Sequence, residues 1–215
     1  MKAFLVVILS FLIACNNLPN QGFPNKAEAK NQTVNGLKEG KWVGYINEKG
    51  DTTTDTSAPF YFICIYKAGK KNGIAKQYDK SGILLDEIPY LDDKINGVAK
   101  EYYTSGKLKS EATLTTGHLN GIWKTYYESG KLYSEASYNN GKVNGIAKFY
   151  YESGTLQEEA PYTDSTLNGI AKEYYENGTL KTQTSYTNGK KGATIEYDEN
   201  GKPTYSVTID SSLLK

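Results

Sequence analysis

The stretch Asn120-Gly121-Ile122-Trp123-Lys124-Thr125-Tyr126-Tyr127-Glu128-Ser129-Gly130-Lys131-Leu132-Tyr133-Ser134-Glu135-Ala136-Ser137-Tyr138-Asn139-Asn140-Gly141-Lys142 decides the fold. It holds two short runs rich in Tyr, Thr and aliphatic residues, parted by Glu128-Ser129-Gly130. Such runs favour extended backbone. Glycine, and asparagine beside it, adopt positive φ at low cost, so Ser-Gly and Asn-Gly mark tight turns. The stretch predicts one β-hairpin.

The same pattern recurs along the chain. A first glycine stands at Gly73, Gly97, Gly121, Gly145, Gly169 and Gly192, in steps of 24, 24, 24, 24 and 23 residues. A second follows nine residues later at Gly82, Gly106, Gly130, Gly154, Gly178 and Gly201. Two residues beyond it come Leu84, Leu108, Leu132, Leu156 and Leu180, then Pro203 in the last copy. The unit reads Gly-x-x-Lys-x-Tyr-Tyr-x-x-Gly-x-Leu, five residues, Tyr, then a turn ending in Asn-Gly. In the clearest copy the strands are expected at roughly Ile146–Tyr151 and Thr155–Tyr162, around the turn Glu152-Ser153-Gly154. A divergent earlier copy starts at Gly40 and carries extra residues Asp51–Pro59, read as a Thr/Asp-rich surface loop.

One hairpin alone is marginally stable. Stacked copies share a core, which predicts an all-β protein: an elongated single antiparallel sheet of tandem hairpins, solenoid-like. The organisation expected is a divergent first repeat over 36–66, six tandem repeats of 24 residues or so over 67–210, and a tail over 211–215. Pro89 and Pro161 occupy one repeat position, where other units hold Thr113, Ser137 and Ser185. Proline has no N–H to give a ladder. The second strand is therefore expected to be bulged or interrupted there.

Before the repeats, Lys2 precedes an apolar run, Ala3–Ala14, broken only by Ser10. A dozen residues are too few to span a bilayer, and a basic start suits a signal peptide, assigned to 1–14. The run ends Leu12-Ile13-Ala14-Cys15, which resembles the bacterial lipobox. That resemblance implies cleavage before Cys15 and lipid on its thiol. Residues 15–35, rich in Asn, Pro, Gly, Gln and Lys, read as a flexible tether.

The 120–142 stretch resembles the MORN repeat variant of bacterial YwqK-like proteins, which are often labelled antitoxin components. The resemblance spans about Val34 to Asp210 and implies a hairpin array that acts by binding. Trp occurs only at Trp42 and Trp123; the equivalent place holds Ala75, Ala99, Ala147 and Ala171.

Composition narrows the chemistry. The 25 basic residues are all Lys, and net charge is +1. No guanidinium fork is present for bidentate reading of phosphate, and no long-range field gathers nucleic acid. His118 is the only histidine and stands in a variable turn, so no zinc set or Ser-His-acid set is expected. Cys64, in the apolar run Phe60–Tyr66, reads as a buried small hydrophobe. The pairs Asp92-Asp93 and Glu158-Glu159 read as solvated faces, not as acids across a cleft. Neither an enzyme activity nor a cofactor or metal is expected.

Two tyrosine columns remain. One is unbroken: Tyr78, Tyr102, Tyr126, Tyr150, Tyr174, Tyr197. The next position holds Tyr103, Tyr127, Tyr151 and Tyr175, with Asp79 and Asp198 in the outer units. Neighbouring strand residues face opposite ways, so the unbroken column is expected in the core. The second column is expected either to stabilise the sheet or to form a binding face for an extended polypeptide or glycan. The function expected is a non-enzymatic, lipid-anchored envelope scaffold that binds another protein, its repeats outside the cytoplasm. An antitoxin or immunity component and a glycan-binding or cell-wall accessory protein are the alternatives.

Overall fold

The computed structural model describes residues 25–204. The expected signal peptide, Cys15, the start of the tether and the 211–215 tail lie outside the described residues, as do 205–210. Among the described residues there are nineteen strands, all paired antiparallel, and one 3-10 turn at Lys26–Glu28. The described residues form two compact units that meet in sequence between Gly106 and Lys107. Both consist of tandem β-hairpins, as the repeat predicts.

In the second unit the clearest hairpin joins strand Gly145–Tyr150 to strand Leu156–Thr163. Its loop is held by two bonds. The Gly154 N–H donates to Tyr151 O at 2.9 Å, and the Tyr151 N–H donates to Thr155 O at 2.9 Å. Gly154 has φ +98°. This is the three-residue loop in which a left-handed third residue restores the strand direction, hence the second glycine of the repeat. Where the repeat has Asp79 or Asp198 in place of Tyr, the carboxylate caps the loop itself. Asp79 Oδ1 accepts from the N–H groups of Ser81 and Ile83, and Asp198 Oδ1 from those of Asn200 and Lys202.

The tight turns between hairpins fall earlier than expected. They are centred on Asn140-Gly141, Asp164-Ser165 and Asn188-Gly189, all with positive φ at both residues. The flanking pairs Asn139↔Lys142, Thr163↔Thr166 and Thr187↔Lys190 make them two-residue type I′ turns. The Asn-Gly before each repeat is not a hairpin turn. Asn168-Gly169 interrupts a strand, between Thr166–Leu167 and Gly169–Tyr174.

That interruption bears out part of the proline expectation: the ladder shifts register at Thr113 and Ser185, but the strands that carry them continue. The second strand runs unbroken through Pro161, with Tyr162, Pro161 and Ala160 in regular register with Gly145, Ile146 and Ala147. The break lies on the next strand. Glu159 pairs with Lys172 and Tyr162 with Leu167, so residues 160–161 face 168–171. The Pro161 carbonyl accepts from the Asn168 N–H at 3.0 Å. In an antiparallel strand a residue's N and O point to the same neighbour. Pro161 thus lacks an N–H only where the neighbour offers no ladder partner. The same carbonyl position accepts from Asn72, Asn96 and Asn144.

A second irregularity carries no sequence mark. Within the hairpins that start at Gly73, Gly121, Gly145 and Gly169 one residue is extruded near the loop: Phe149 pairs with Glu158 and Tyr150 with Leu156, leaving Gln157 as a bulge. Tyr133 and Lys181 hold that place in their hairpins.

One face of the second unit is buried. It carries Ala112, Trp123 and Ala136 in one paired row, Ala147 opposite Ala160, and Leu114, Tyr138, Val143 and Leu167 nearer the turns. Trp123 packs against Tyr138 with ring centroids 5.8 Å apart. In the first unit, Leu37–Ile46 pairs with Phe60–Lys67 without a register shift, and Cys64 lies fully buried opposite Trp42. Gln32–Val34, inside the stretch read as tether, is a strand paired to Leu37–Glu39. Within the expected surface loop, Thr52–Thr53 folds back on Tyr45–Ile46 and Ala58 is buried.

Gly169 has φ +124°, and a Cβ there would meet Pro161 Cγ at 2.8 Å. Gly169→Ala is expected to lose about 2–4 kcal/mol, from left-handed strain plus overlap with a rigid ring. Gly154→Ala, with open space around its Cβ, is expected to lose only about 1–2 kcal/mol. Urea midpoints compare the two; equal losses would show that the Pro161 contact contributes nothing.

Candidate binding face

Alternation along Gly145–Tyr150 sends Ala147 and Phe149 to the core and leaves Ile146, Lys148 and Tyr150 on the opposite face. The register repeats this in every hairpin of the second unit, so three rows cross the strands.

The first row is aliphatic. Ile122, Ile146 and Ile170 are 50%, 52% and 55% exposed. Ser137, Pro161 and Ser185 lie opposite them on the partner strands. In the first unit Ile74 and Val98 stand at the same position, also exposed. The second row alternates in charge from strand to strand: Glu111, Lys124, Glu135, Lys148, Glu159, Lys172. Opposite charges directly across an antiparallel pair favour the register.

The third row is the unbroken tyrosine column, and it is not core. Tyr126, Tyr150 and Tyr174 are half-buried on this outer face. Their hydroxyls donate to Glu111, Glu135 and Glu159 of the preceding hairpin at 2.7, 3.0 and 3.0 Å. Tyr102 does the same to Glu87 at 2.8 Å in the first unit. A phenol needs an acceptor when it is desolvated, and the charged row supplies one. Burial, then the carboxylate bond, pushes the Tyr126 and Tyr150 phenols up to about 12. Glu159 is held below its ordinary value, first by its bond to Lys172 at 2.7 Å. Lys124 stands across from Glu111 and Glu135, and Lys148 from Glu135 and from Glu159, whose carboxyl it helps to hold down.

The tyrosines expected to bind a partner sit at the loop end. Tyr127, Tyr151 and Tyr175 each begin a loop, and Tyr103 holds the equivalent place in the first unit. Their hydroxyls are occupied: Tyr127, Tyr151 and Tyr175 donate to the carbonyls of Tyr150, Tyr174 and Tyr197 at 2.7, 2.8 and 2.9 Å. Tyr127 also packs edge-on against Tyr133, centroids 5.0 Å apart. This column does form a ladder, and its bonds tie each hairpin to the next.

The remaining titratable candidates are dispersed. His118 is exposed beside the Thr116-Gly117 turn. Asp92 and Asp93 are the two central residues of a tight turn, and Asp93 accepts the Lys71 N–H at 2.8 Å. Glu158 and Glu159 are adjacent on one strand and so face opposite sides. Among the described residues no group of three or more His, Cys, Asp or Glu is placed to hold a metal. The aliphatic row escaped the sequence reading, although its signal is present: Ile or Val directly follows the first glycine in five units.

Residues 71–92, 95–114, 119–140, 143–164 and 167–188 match the repeat described as MORN repeat variant, together just over half of the chain. The chain belongs to the MORN repeat variant family. MORN repeats are in general protein- and membrane-interaction motifs. No curated protein matches the chain. Among solved structures, TarM matches at 13% identity and a TM-score of 0.28, over 60% of this chain and 20% of that one. A mutant of S. aureus TarM in complex with Fondaparinux, alpha-GlcNAc-glycerol and UDP matches at 12% identity and 0.28, over 61% and 21%. This chain spans about a fifth of the length of those chains, and a likeness of that size carries no weight for function.

Two outcomes follow from the tyrosines. Tyr151→Phe removes the hydroxyl tie to Tyr174 and is expected to lower stability by about 1 kcal/mol, read as a shifted urea midpoint; an unchanged midpoint would refute the tie. The Tyr126 and Tyr150 phenols titrate near 10 when unfolded and near 12 when folded. Their stabilisation is full below about pH 10 and lost as pH rises toward 12. The melting curves of the native chain and of the Tyr126→Phe/Tyr150→Phe variant should converge over that window. A gap that stays constant to pH 12 contradicts the assignment.

Proposed function

We propose that the repeats are a non-catalytic scaffold that binds another protein on the face carrying Ile122, Ile146 and Ile170. The chain is held at a bacterial membrane by lipid on Cys15, with its repeats outside the cytoplasm. The aliphatic row is the observation that supports binding. On the same strands the opposite face hides even alanines, yet these three isoleucines stay half exposed at one position in successive hairpins. Single exposed apolar residues are ordinary; a row of them in register marks an interaction surface. An aliphatic row suits a polypeptide better than a glycan. The tyrosine hydroxyls are committed within the sheet and are not free to bond the hydroxyls of a sugar. The anchor rests on Leu12-Ile13-Ala14-Cys15 at the end of a short apolar run.

Ile146→Asp places a charge in the centre of the row at a site exposed enough to keep the fold. It is expected to abolish co-purification of the partner from cross-linked host cells while leaving the melting temperature within a few degrees. Retention of the same partner by a folded Ile122→Asp/Ile146→Asp chain would remove this face from consideration. Cys15→Ser is expected to move the protein from the membrane to the soluble fraction and to end incorporation of labelled fatty acid. A variant that stays in the membrane fraction with its label intact contradicts the anchor.

A further inference from the structure

One column of the repeat changes character in the first unit. Two residues before the first glycine stand Ile95, Leu119, Val143 and Leu167, paired with Tyr90, Leu114, Tyr138 and Tyr162. Ile95, Val143 and Leu167 are 9%, 7% and 7% exposed. At the same place before Gly40 and Gly73 the chain has Lys38 and Lys71. Lys71 pairs with Tyr66 and is 8% exposed, as buried as the aliphatic residues it replaces. Lys191, at this place in the last copy, is exposed, so only Lys38 and Lys71 bring a cation under cover.

The two lysines share an aromatic corner. The Lys38 ammonium lies 5.5 Å from the Trp42 ring centre and 5.2 Å from that of Tyr66, and the Lys71 ammonium 4.9 Å from that of Tyr90. Burial holds Lys38 below its ordinary pKa; Lys71 acts in the same direction, and Cys64 and Asp93 act against it. Asp93 is the carboxylate that faces Lys38, yet its hydrogen bond is to backbone: Oδ1 accepts the Lys71 N–H at 2.8 Å. Ser165 makes the same bond to the Val143 N–H at 3.0 Å, beside an aliphatic member of the column. Asp93 thus closes a turn as an uncharged residue does elsewhere. Among the described residues it forms no ion pair with either ammonium. Aromatic rings attract a cation but bring no countercharge.

A fold that accepts isoleucine, valine and leucine at this position has no need of two cations there. A covered charge without a contacting partner costs stability, and a residue that breaks a local pattern at such a cost marks a site. Two ammonium groups against one carboxylate leave one positive charge over. We propose that Lys38 and Lys71 together bind a carboxylate group, its oxygens accepting from both ammonium groups beside Tyr66. Such bonds are charge-assisted at both ends. One carboxylate balances the corner, whereas a phosphate, nearer two charges at neutral pH, overshoots it. The site belongs to the first unit and uses none of Ile122, Ile146 and Ile170.

The test is NMR of the full chain labelled with carbon-13 at lysine Cε, titrated at constant ionic strength with benzoate, benzamide or inorganic phosphate. Benzoate is expected to move the Lys38 and Lys71 signals saturably and to leave the other lysines in place. Uncharged benzamide should move neither, and phosphate should bind at least tenfold more weakly. Lys71→Leu restores the residue type of the other repeats. It is expected to melt no lower than the native chain and to weaken benzoate at Lys38 at least tenfold. Lys38→Met, at a half-buried position, should weaken benzoate at Lys71 to the same degree. Unchanged benzoate affinity in either folded variant overturns the site. So does a Lys71→Leu chain that melts well below the native one, because the lysine is then a structural contact. Phosphate binding as tight as benzoate overturns the choice of carboxylate, and unsaturable shifts at all lysines reduce the effect to screening and overturn it too.

Discussion

The structure depends on one contact between successive hairpins: the first glycine of a repeat against the residue at the proline position of the hairpin before it. At Gly121 a Cβ would meet Thr113 Cβ at 2.8 Å, and at Gly169 it would meet Pro161 Cγ at 2.8 Å. Side by side with this contact, the preceding asparagine donates its N–H to the carbonyl of that same residue, as Asn168 does to Pro161. Together they pin an irregular point of the ladder. A sheet has a side-chain period of two, so a slip of one residue would turn every core alanine outward. The contact is tight at Gly121 and Gly169 and only ordinary at Gly145, where a Cβ would meet Ser137 Cβ at 3.7 Å, so the slip is most unfavourable at the tight hairpins.

The same constraint explains why the outer face is so regular. Once the register between hairpins is fixed, Lys148 must stand between Glu135 and Glu159, and Tyr150 must reach Glu135. The charged row is therefore internally balanced. It contributes through many modest cross-strand terms, not through any single strong pair. Its carboxylates take up the tyrosine hydroxyls, while the aliphatic row beside it stays exposed.

Most of the architecture was legible because the repeat exposes it. The hairpin, its loop at Glu152-Ser153-Gly154 and strand bounds within about a residue follow from glycine spacing and turn chemistry. Two features were not legible for physical reasons. Asn-Gly signals any pair of adjacent positive-φ or near-turn positions, and Asn168-Gly169 uses the glycine for close approach while the reversal is made by Asp164-Ser165. The bulge at Gln157 has no compositional mark, because its place is filled by Gln, Tyr or Lys in different units. Spacing reveals the tyrosine columns and alternation separates their faces, but neither tells which face is buried; Ala147 and Phe149 occupy that side. The unbroken column went outward to meet the carboxylates, and Tyr127, Tyr151 and Tyr175 became ties between hairpins.

These placements shift the argument about function from the tyrosines to the isoleucines. The Tyr151 hydroxyl is committed to the Tyr174 carbonyl and the residue is half-buried, so only part of its ring is open to a ligand. Ile146 has no such commitment. It stands at a position where an exposed aliphatic side chain has no evident use in the fold, directly after a glycine whose role is structural. Ile122 and Ile170 repeat it at the same position of the adjoining hairpins. Repetition makes any one isoleucine weak and the row strong: every further hairpin that a ligand reaches adds to affinity without a new kind of contact.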